Sequence, residues 1–187
     1  MVVRAVEDSC RKSGVSRDAE FASAYLEALV GHKADASLRK AFLAAGPEMI
    51  GYLEKHADFL FRAYPEHPDY RQDLPGAAMG GRPLEPPEFD GRLLAGEFDR
   101  VAWPIRELML FGGMMVTRGE AARLLGAFKS LDAVLLGARL VLRYLADRRR
   151  YRRGTRLVLG NALVARLYRC LLDRRVPVWF SARTEAL

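Results

Sequence analysis

Hydrophobic residues recur every three or four positions near the start of the chain, which is the spacing of one face of an amphipathic helix. This pattern predicts a helix over Arg17–Val30, in which the recurring apolar positions are Phe21, Tyr25, Leu26 and Leu29. Residues 1–16 lack such a period, and we interpret them as an irregular lead to the first element.

The next stretch combines helical periodicity with residues that start and stop helices. Asp35 can accept a hydrogen bond from a first-turn amide and so cap a helix over Ala36–Ala45. Gly46 is typical of the position just after a helix, and Pro47 of the first position within one. The sequence therefore predicts two helices here, and the second would run from Pro47 to the neighbourhood of His56.

The helical period disappears between residues 58 and 98. Asp58–Tyr64 alternates enough between apolar and polar residues to predict a short strand. Tyr64–Phe98 holds six prolines and five glycines, so it is predicted to be a long loop. Because a disordered linker would not need the tyrosine, leucine and phenylalanine residues of this loop, we expect an ordered excursion over another surface or over a ligand.

Turn and capping residues organise the following fifty residues. Gly112-Gly113 interrupts the apolar stretch Val101–Val116 and allows a tight turn or a close approach of two backbones. Thr117-Arg118-Gly119-Glu120 has the spacing of a capping box and predicts the start of a helix. The leucines of Leu131–Arg150 then predict a long amphipathic helix.

The C-terminal segment, from Gly154 onward, reads as a glycine turn, a helix, a short link and a strand. Asn161 is predicted to cap the helix, whose apolar stripe is Ala162, Leu163, Ala165, Leu167, Leu171 and Leu172. Val176–Phe180 is a nearly continuous apolar run, which is typical of a strand covered on both faces.

These elements predict an α+β fold that is mostly helical, with strands at Asp58–Tyr64 and Val176–Phe180. Two distant strands do not make a sheet of ordinary size, and a buried strand needs neighbours on both sides. We therefore expect the chain to form part of a larger assembly.

Composition is that of a globular domain. The chain has 187 residues, half of them hydrophobic, and no apolar run approaches the ~20 residues of a membrane span. No signal-peptide core is visible at the N-terminus, and Cys10 and Cys170 lie far apart, so we expect a cytoplasmic location. The three histidines lack metal-ligand spacing, and no metal site is predicted.

The net charge is +7, and six arginines crowd the segment Arg148–Arg156. Arginine clusters neutralise phosphates, which would fit a nucleic acid. Cations also interact favourably with the negative end of a helix dipole. We favour a solvated helix end and expect no nucleic acid partner, because the cluster is short and no nucleic-acid-binding module surrounds it. An acidic partner surface or the phosphates of a cofactor are alternative users of this charge.

Short sequence motifs occur at intervals along the chain, and their order and spacing are informative. They are Ala24–Gly31, Gly46–Met49, Tyr64–Tyr70, Leu74–Gly76, Gly80–Pro86, Phe89–Arg92, Phe111–Val116, Gly154–Leu167, Val176–Trp179 and Thr184–Leu187. In order and spacing they resemble the flavoprotein family of fumarate reductases and 3-ketosteroid dehydrogenases over roughly residues 16 to 187. The proline-rich loop with its Asp69-Tyr70 pair is most similar to the 3-ketosteroid dehydrogenase branch.

The resemblance implies an FAD-dependent oxidoreductase that removes two hydrogens from a steroid-like substrate and passes hydride to the flavin. Residues 17–187 would form the helical portion of an FAD-binding α/β domain, whose sheet the final strand enters in this family. Family members carry a Gly-x-Gly-x-x-Gly fingerprint and most flavin contacts upstream, and the present sequence contains no such fingerprint. The resemblance thus implies the remainder of a flavoprotein as a partner, and it assigns no cofactor-binding residue here.

The resemblance gives one residue a role in the reaction. In 3-ketosteroid dehydrogenases a tyrosine on the proline-rich loop reaches the substrate cavity and supports a second tyrosine that acts as base, and the matching position is Tyr70. A phenol with an ordinary pKa of ~10 can relay a hydrogen bond and help a neighbouring phenol take a proton. The base tyrosine, and the tyrosine–glycine pair that polarises the ketone, would lie beyond Leu187. Alternatively, Tyr70 anchors the loop with a buried ring and a solvated hydroxyl.

Two further hypotheses come from the residues themselves. The chain could be a free-standing helical interaction module that binds an acidic surface or a nucleic acid through Arg148–Arg156. It could also be a truncated, inactive product, which would be poorly soluble because Val176–Phe180 stays unpaired.

Overall fold

The computed structural model describes residues 19–57, 59–126, 130–183 and 185. The chain divides into two compact units, residues 1–87 and residues 88–187. The described elements are mostly helices with a few short strands, which confirms the predicted α+β class. The predicted lead at residues 1–16 and Cys10 lie outside the described residues, and the predicted domain over residues 17–187 stays a prediction.

Two helices begin the described part of the first unit, which starts at Ala19. Helix α1 spans Ala19–Val30, and a 3₁₀ turn at Gly31–Lys33 leads to helix α2, Ala36–His56. The predicted N-cap is confirmed, because the Asp35 carboxylate accepts a hydrogen bond of 2.6 Å from the Ser37 amide. This local interaction sets the start of α2.

The predicted break at Gly46-Pro47 is wrong, since α2 runs through it with Pro47 inside the helix. A glycine that ends a helix adopts a positive φ, and Gly46 is not among the positive-φ glycines. Pro47 removes one amide donor from the helix, at an exposed position where water can take its place.

The strand predicted at Asp58–Tyr64 is much shorter. Strand β1 is Arg62–Ala63 and pairs antiparallel with strand β2, Leu84–Glu85; Asp58 lies outside the described residues. The predicted loop begins as expected, because Tyr64–Pro83 has no regular element. Its second half was predicted wrongly: after β2 come strand β3, Phe89–Asp90, and a 3₁₀ segment, Gly91–Arg100.

The second unit starts at β3 and contains a tight hairpin. Strand β4, Met109–Leu110, follows a 3₁₀ turn at Arg106–Leu108 and pairs antiparallel with strand β5, Met114–Met115. The turn between them places Phe111 at φ 50° and Gly112 at φ 70°. The predicted tight turn is thereby confirmed, and the glycine supplies the left-handed backbone it requires.

Three helices complete the second unit: α3 over Arg118–Leu125, α4 over Leu131–Arg148 and α5 over Leu159–Asp173. The capping box of α3 is confirmed, with Thr117 Oγ1 accepting from the Glu120 amide and Glu120 accepting from the Thr117 amide. Between α4 and α5 lies strand β6, Arg156–Leu157, which pairs with β3 and was not predicted.

The predicted cap of the last helix is wrong. Val158 is the N-cap of α5 and makes no side-chain capping bond. Asn161 lies inside the first turn, and its side-chain amide donates to the Ala102 carbonyl at 3.0 Å. The reason is the short strand β6, which carries the chain directly into the helix three residues earlier than the capping residue suggested.

Two apolar clusters form the core of the second unit. The larger joins the 3₁₀ segment, β6 and α5 through Leu94, Phe98, Leu157, Ala162 and Ala165. The smaller is built on Met114, Leu140 and Tyr144. Small alanines on α5 let its backbone approach the 3₁₀ segment closely, whereas Leu167 of the predicted stripe is exposed.

The strand predicted at Val176–Phe180 is wrong for the described part of the chain. These residues have no regular secondary structure and pair with no described strand. Val178 packs on the larger cluster and the Phe180 ring meets the Tyr168 ring edge-on, whereas Trp179 is 83% exposed. A ladder needs a second strand to supply the hydrogen bonds, and none of the described strands lies beside this segment.

Candidate functional site

Tyr70 lies on the irregular loop Tyr64–Pro83 of the first unit, and its side chain is 92% exposed. Its ring meets the His67 ring edge-on with centroids 5.9 Å apart, and the His67 ring meets the Tyr64 ring in the same manner. The alternative of a buried loop anchor is wrong for the described chain. The phenol projects from the loop, where a molecule or surface outside this unit can reach it.

The residue before Tyr70 closes the loop. The Asp69 carboxylate forms an ion pair with Arg82 and accepts a 2.8 Å hydrogen bond from the Ala78 amide. Arg82 also donates to the Gly76 carbonyl, and its guanidinium lies over the Tyr25 ring of α1 at 5.3 Å. Because both members of the ion pair are largely buried and have further partners, this contact fixes the backbone next to Tyr70.

Two glycines allow the loop to pack tightly. A Cβ on Gly76 would lie 2.1 Å from the Phe21 carbonyl oxygen of α1, and one on Gly80 would lie 1.7 Å from the Pro65 carbonyl oxygen. Both distances are impossible for a side-chain carbon, so these positions require glycine. The loop is therefore a closed, packed structure that holds Tyr70 on its surface.

A second ion pair lies beside Tyr70 on the solvent side. Arg71 donates to both oxygens of Asp73, at 2.8 and 2.6 Å. These hydrogen bonds lower the pKa of the Asp73 carboxyl from 3.8 to about 2, and they raise the pKa of Arg71. Gln72 donates to the Asp69 and Ala78 carbonyls, so three consecutive residues after Tyr70 have defined partners.

The arginine segment Arg148–Arg156 of the second unit is partly internal. Arg153 is 1% exposed and donates to the carbonyls of Phe98, Val101 and Ala102 at 3.4, 2.6 and 2.9 Å. Its guanidinium lies 4.6 Å from the centre of the Phe98 ring. Burial lowers the pKa of Arg153, and the charge of Asp99 only partly opposes that shift.

Arg156 is also buried, but it has acidic partners. It pairs with Glu88 ahead of β3 and with Glu120 of α3 at 2.9 Å, and it donates to the Met115 carbonyl at 3.0 Å. Burial disfavours the charged form of Arg156 and lowers its pKa. The two carboxylates favour the charged form more strongly, so the pKa of Arg156 is raised overall. These contacts join β6, β5 and α3, so Arg156 has a structural role.

A buried carboxylate organises the turn between these two arginines. Asp147 is 5% exposed and accepts from both the amide and the hydroxyl of Thr155, at 2.9 and 2.8 Å. Gly154 lies against Gly113, where a Cβ would come 2.9 Å from the Gly113 carbonyl oxygen. The prediction that this segment is a solvated helix end thus holds for Arg149, Arg150 and Arg152, which are exposed, and is wrong for Arg153 and Arg156.

No group of three or more histidine, cysteine, aspartate or glutamate side chains is placed to hold a metal ion in the parts of the chain described above. Among the same residues, no helix combines the length and apolar character that crossing a bilayer requires.

Comparison with known proteins decides the family. The family described as FAD binding domain matches residues 5–187. This chain belongs to that family. FAD as the cofactor of the family was predicted from the sequence and is confirmed by the match, and the resemblance to flavoprotein dehydrogenases is confirmed with it.

Individual relatives are dehydrogenases of cyclic ketones. The chain is 30% identical to a 4-oxocyclohex-2-ene-1-carboxylate 5-dehydrogenase from Sinomonas cyclohexanicum, over 87% of this chain and 28% of the relative. It is 28% identical to a 3-oxosteroid 1-dehydrogenase from Comamonas testosteroni, over 95% of this chain and 31% of the relative. The chain therefore spans less than a third of the length of these relatives.

A solved structure shares the fold. It is a 3-ketosteroid Δ1-dehydrogenase from Sterolibacterium denitrificans in complex with 1,4-androstadiene-3,17-dione, and it superposes with a TM-score of 0.75 at 32% identity. The match covers 87% of this chain and 29% of that one. The described helices and short strands thus correspond to a region within a larger flavoprotein.

The described residues of this family member do not by themselves fit the phosphates of FAD. The place where a strand leads into a helix, β6 into α5, holds Val158, Leu159 and Gly160 in place of a glycine fingerprint. The Asn161 amide there is bound to the Ala102 carbonyl. Gly154, the nearest preceding glycine, is packed against Gly113 and leaves no room for a ligand.

The role of Tyr70 stays a prediction from the sequence, and sequence reasoning missed the buried Arg153 and Arg156. Arg153 and Arg156 belong to the arginine-rich segment Arg148–Arg156, and the side chains of such a charged segment are usually solvated. The signal that could have separated them is Gly154-Thr155, which interrupts the charges and is followed by the apolar Leu157 and Val158. Such a change from charged to apolar is typical of a chain entering the core.

Proposed function

We propose that this chain is the helical part of an FAD-dependent dehydrogenase that removes two hydrogens from a cyclic ketone of steroid type and passes a hydride to the flavin. The observation that carries the proposal is the likeness, at 32% identity and TM-score 0.75, to a 3-ketosteroid Δ1-dehydrogenase with a steroid dienone bound. The remainder of the flavoprotein, which supplies the phosphate-binding fingerprint, is the required partner. The protein would act in the cytoplasm.

Tyr70 would serve this reaction through its hydroxyl. The loop holds the phenol on an exposed surface by the Asp69–Arg82 ion pair, so its position does not depend on the ring being buried. We propose that it donates a hydrogen bond to the tyrosine base of the assembled enzyme. Stabilising the phenolate of that base lowers its pKa and favours proton removal beside the ketone.

A single-ring keto acid is the second candidate substrate. The 30% identity to a 4-oxocyclohex-2-ene-1-carboxylate 5-dehydrogenase favours it, because that relative matches 87% of this chain. Both substrate classes share a ring ketone with hydrogens on neighbouring carbons, and they differ in size and in the carboxylate.

The experiment is an exchange of segments. The full 187-residue chain replaces the matching segment of the Sterolibacterium denitrificans enzyme, and the purified chimera is assayed for FAD content and for reduction of an artificial electron acceptor. We expect bound FAD and dehydrogenation of a 3-ketosteroid. Turnover of 4-oxocyclohex-2-ene-1-carboxylate instead would select the second candidate, and a soluble chimera without FAD would refute both.

Within the chimera, Tyr70→Phe tests the role of the phenol. Loss of one supporting hydrogen bond raises the pKa of the tyrosine base, so it should lower kcat about 10- to 100-fold and shift the acidic limb of the pH–rate profile to higher pH. The matched control is Tyr52→Phe, which removes another exposed phenol from the same unit. A Tyr70→Phe enzyme with the kcat and pH profile of the control would contradict the proposed role.

A further inference from the structure

Helix α4 carries apolar residues on two opposite sides. Its inner side packs into the smaller apolar cluster through Leu136, Leu140 and Tyr144. Its other side consists of large apolar residues that are at least half exposed: Leu131 83%, Val134 50%, Leu135 67%, Leu142 66% and Leu145 54%. We name these five residues the outer stripe.

The outer stripe is continuous along the helix. Leu131, Leu135, Leu142 and Leu145 are separated by three, four or seven positions, so they lie on one line on the helical surface, and Val134 lies beside that line. From Leu131 to Leu145 this line is about 21 Å long at 1.5 Å per residue. The charged residues Asp132 and Arg139 lie off this line.

The double apolar character of α4 indicates a covered helix. A helix on a protein surface normally has one apolar side toward the core and a polar side toward water. Contiguous exposed apolar surface is a mark of an interaction site. Since the inner side of α4 is already filled by its own unit, the outer stripe needs a second, external partner.

Charge adds a requirement for that partner. The helix ends at Arg148, and the exposed Arg149, Arg150 and Arg152 follow at once. A surface that complements both features is apolar along its centre and acidic at the end that meets these arginines.

We propose that the outer stripe of α4 is the surface on which the remainder of the flavoprotein packs. This inference rests on the proposed function. The remainder of the flavoprotein is the occupant that we choose, because the matched region makes up only 29% of the Sterolibacterium denitrificans chain. The outer stripe is thus part of an interdomain contact that this chain makes with the flavin-holding part.

The test uses the chimera and the isolated full chain side by side. Leu135→Glu with Leu142→Glu places two charges in the centre of the outer stripe. In the chimera these charges would be buried, so we expect the melting temperature to fall by at least about 5 °C. In the isolated chain the two positions are exposed, and the melting temperature should change by no more than about 2 °C.

The matched control is Arg139→Glu, which changes the net charge of the same helix by the same amount at an exposed position off the line. It should leave the melting temperature of the chimera within about 2 °C of the parent. The difference between the two variants isolates burial of the outer stripe from the change in charge.

Three results would overturn the inference. The chimera could tolerate both glutamates as well as it tolerates Arg139→Glu. The isolated chain could be a dimer that the two glutamates dissociate, which would assign the outer stripe to a second copy. It could instead bind vesicles of phosphatidylcholine and phosphatidylserine and lose that binding with the two glutamates, which would assign it to a lipid surface. A chimera that melts as expected but holds no FAD refutes only the proposed function.

Discussion

Two segments of the molecule place arginines against backbone carbonyls, and they do so in opposite settings. In the loop Tyr64–Pro83, Arg82 pairs with the carboxylate of Asp69 and also reaches the Gly76 carbonyl, near the surface. In the segment Arg148–Arg156, Arg153 is fully buried and is bound by three carbonyls. Arg82 thus fixes the loop that presents the exposed Tyr70, whereas Arg153 forms part of the core.

The difference shows what each unit is built to do. A closed loop with a polar anchor can present a side chain such as Tyr70 to another surface without packing it. A buried guanidinium with carbonyl partners joins distant backbone segments, and its charge can be removed only at the cost of leaving those carbonyls unpaired. We therefore expect the second unit to depend more on its arginine than the first unit does.

The largest expected effect is that of Arg153→Ala. It leaves a cavity beneath Phe98 and removes the donors to three carbonyls, so the free energy of unfolding should fall by about 3–5 kcal/mol. Urea unfolding followed by tryptophan fluorescence measures it, with Trp103 lying 5.5 Å from the guanidinium.

The neighbouring Arg152→Ala is the control for Arg153→Ala, because its side chain is exposed. It should change the free energy of unfolding by less than about 0.5 kcal/mol. Equal effects of the two substitutions would show that the burial of Arg153 contributes nothing to stability.

An intermediate effect is expected for Gly80→Ala in the first unit. The added Cβ meets the Pro65 carbonyl, so the loop must open, at a cost of about 2–4 kcal/mol that stays local to Tyr64–Pro83. The hydrogen-exchange rate of the loop amides should rise.

The matched control is Gly51→Ala, which lies within α2 with nothing near its Cβ. There we expect the free energy of unfolding to increase by about 0.5–1 kcal/mol. Unchanged exchange in Gly80→Ala would contradict the packed loop.

The smallest effect concerns pH and the exposed pair beside Tyr70. Hydrogen bonds from Arg71 hold the pKa of Asp73 at about 2, below its value in the unfolded chain. The stabilisation is therefore present above the unfolded pKa and is lost as pH falls toward 2. Carboxyl-carbon NMR should show Asp73 ionised at pH 3, and Arg71→Gln should return its pKa toward 3.8. If the pKa of Asp73 is the same in the Arg71→Gln variant as in the parent, the ion pair is contradicted.

Local capping chemistry was readable from the sequence. Asp35 and the Thr117–Glu120 box act on amides two or three residues away, so their types and spacing were sufficient. The start of α4 at Leu131 followed from periodicity, although the helix ends at Arg148 and not at the predicted Arg150. The turn at Gly112 followed from the freedom of glycine. The family resemblance, built on many weak motifs in order, was correct as well.

Features that depend on distant partners were not readable. Pro47 stays inside a helix because its site is exposed, and Val176–Phe180 lacks a ladder because no described strand lies beside it. Arg153 and Arg156 looked solvated because their partners are 36 to 68 residues away in sequence. The role of Tyr70 came from resemblance alone, since the groups that it would serve lie outside the described chain.

The contacts of Arg153 also bear on the unfolding rate of the second unit. They join positions 51 to 55 residues apart, so a long loop must close before any of them can form. We expect such contacts to be completed late on the folding route, after the local hairpin and helices. Weakening them should hasten unfolding and leave the refolding rate nearly unchanged, which makes this one guanidinium a determinant of the native lifetime.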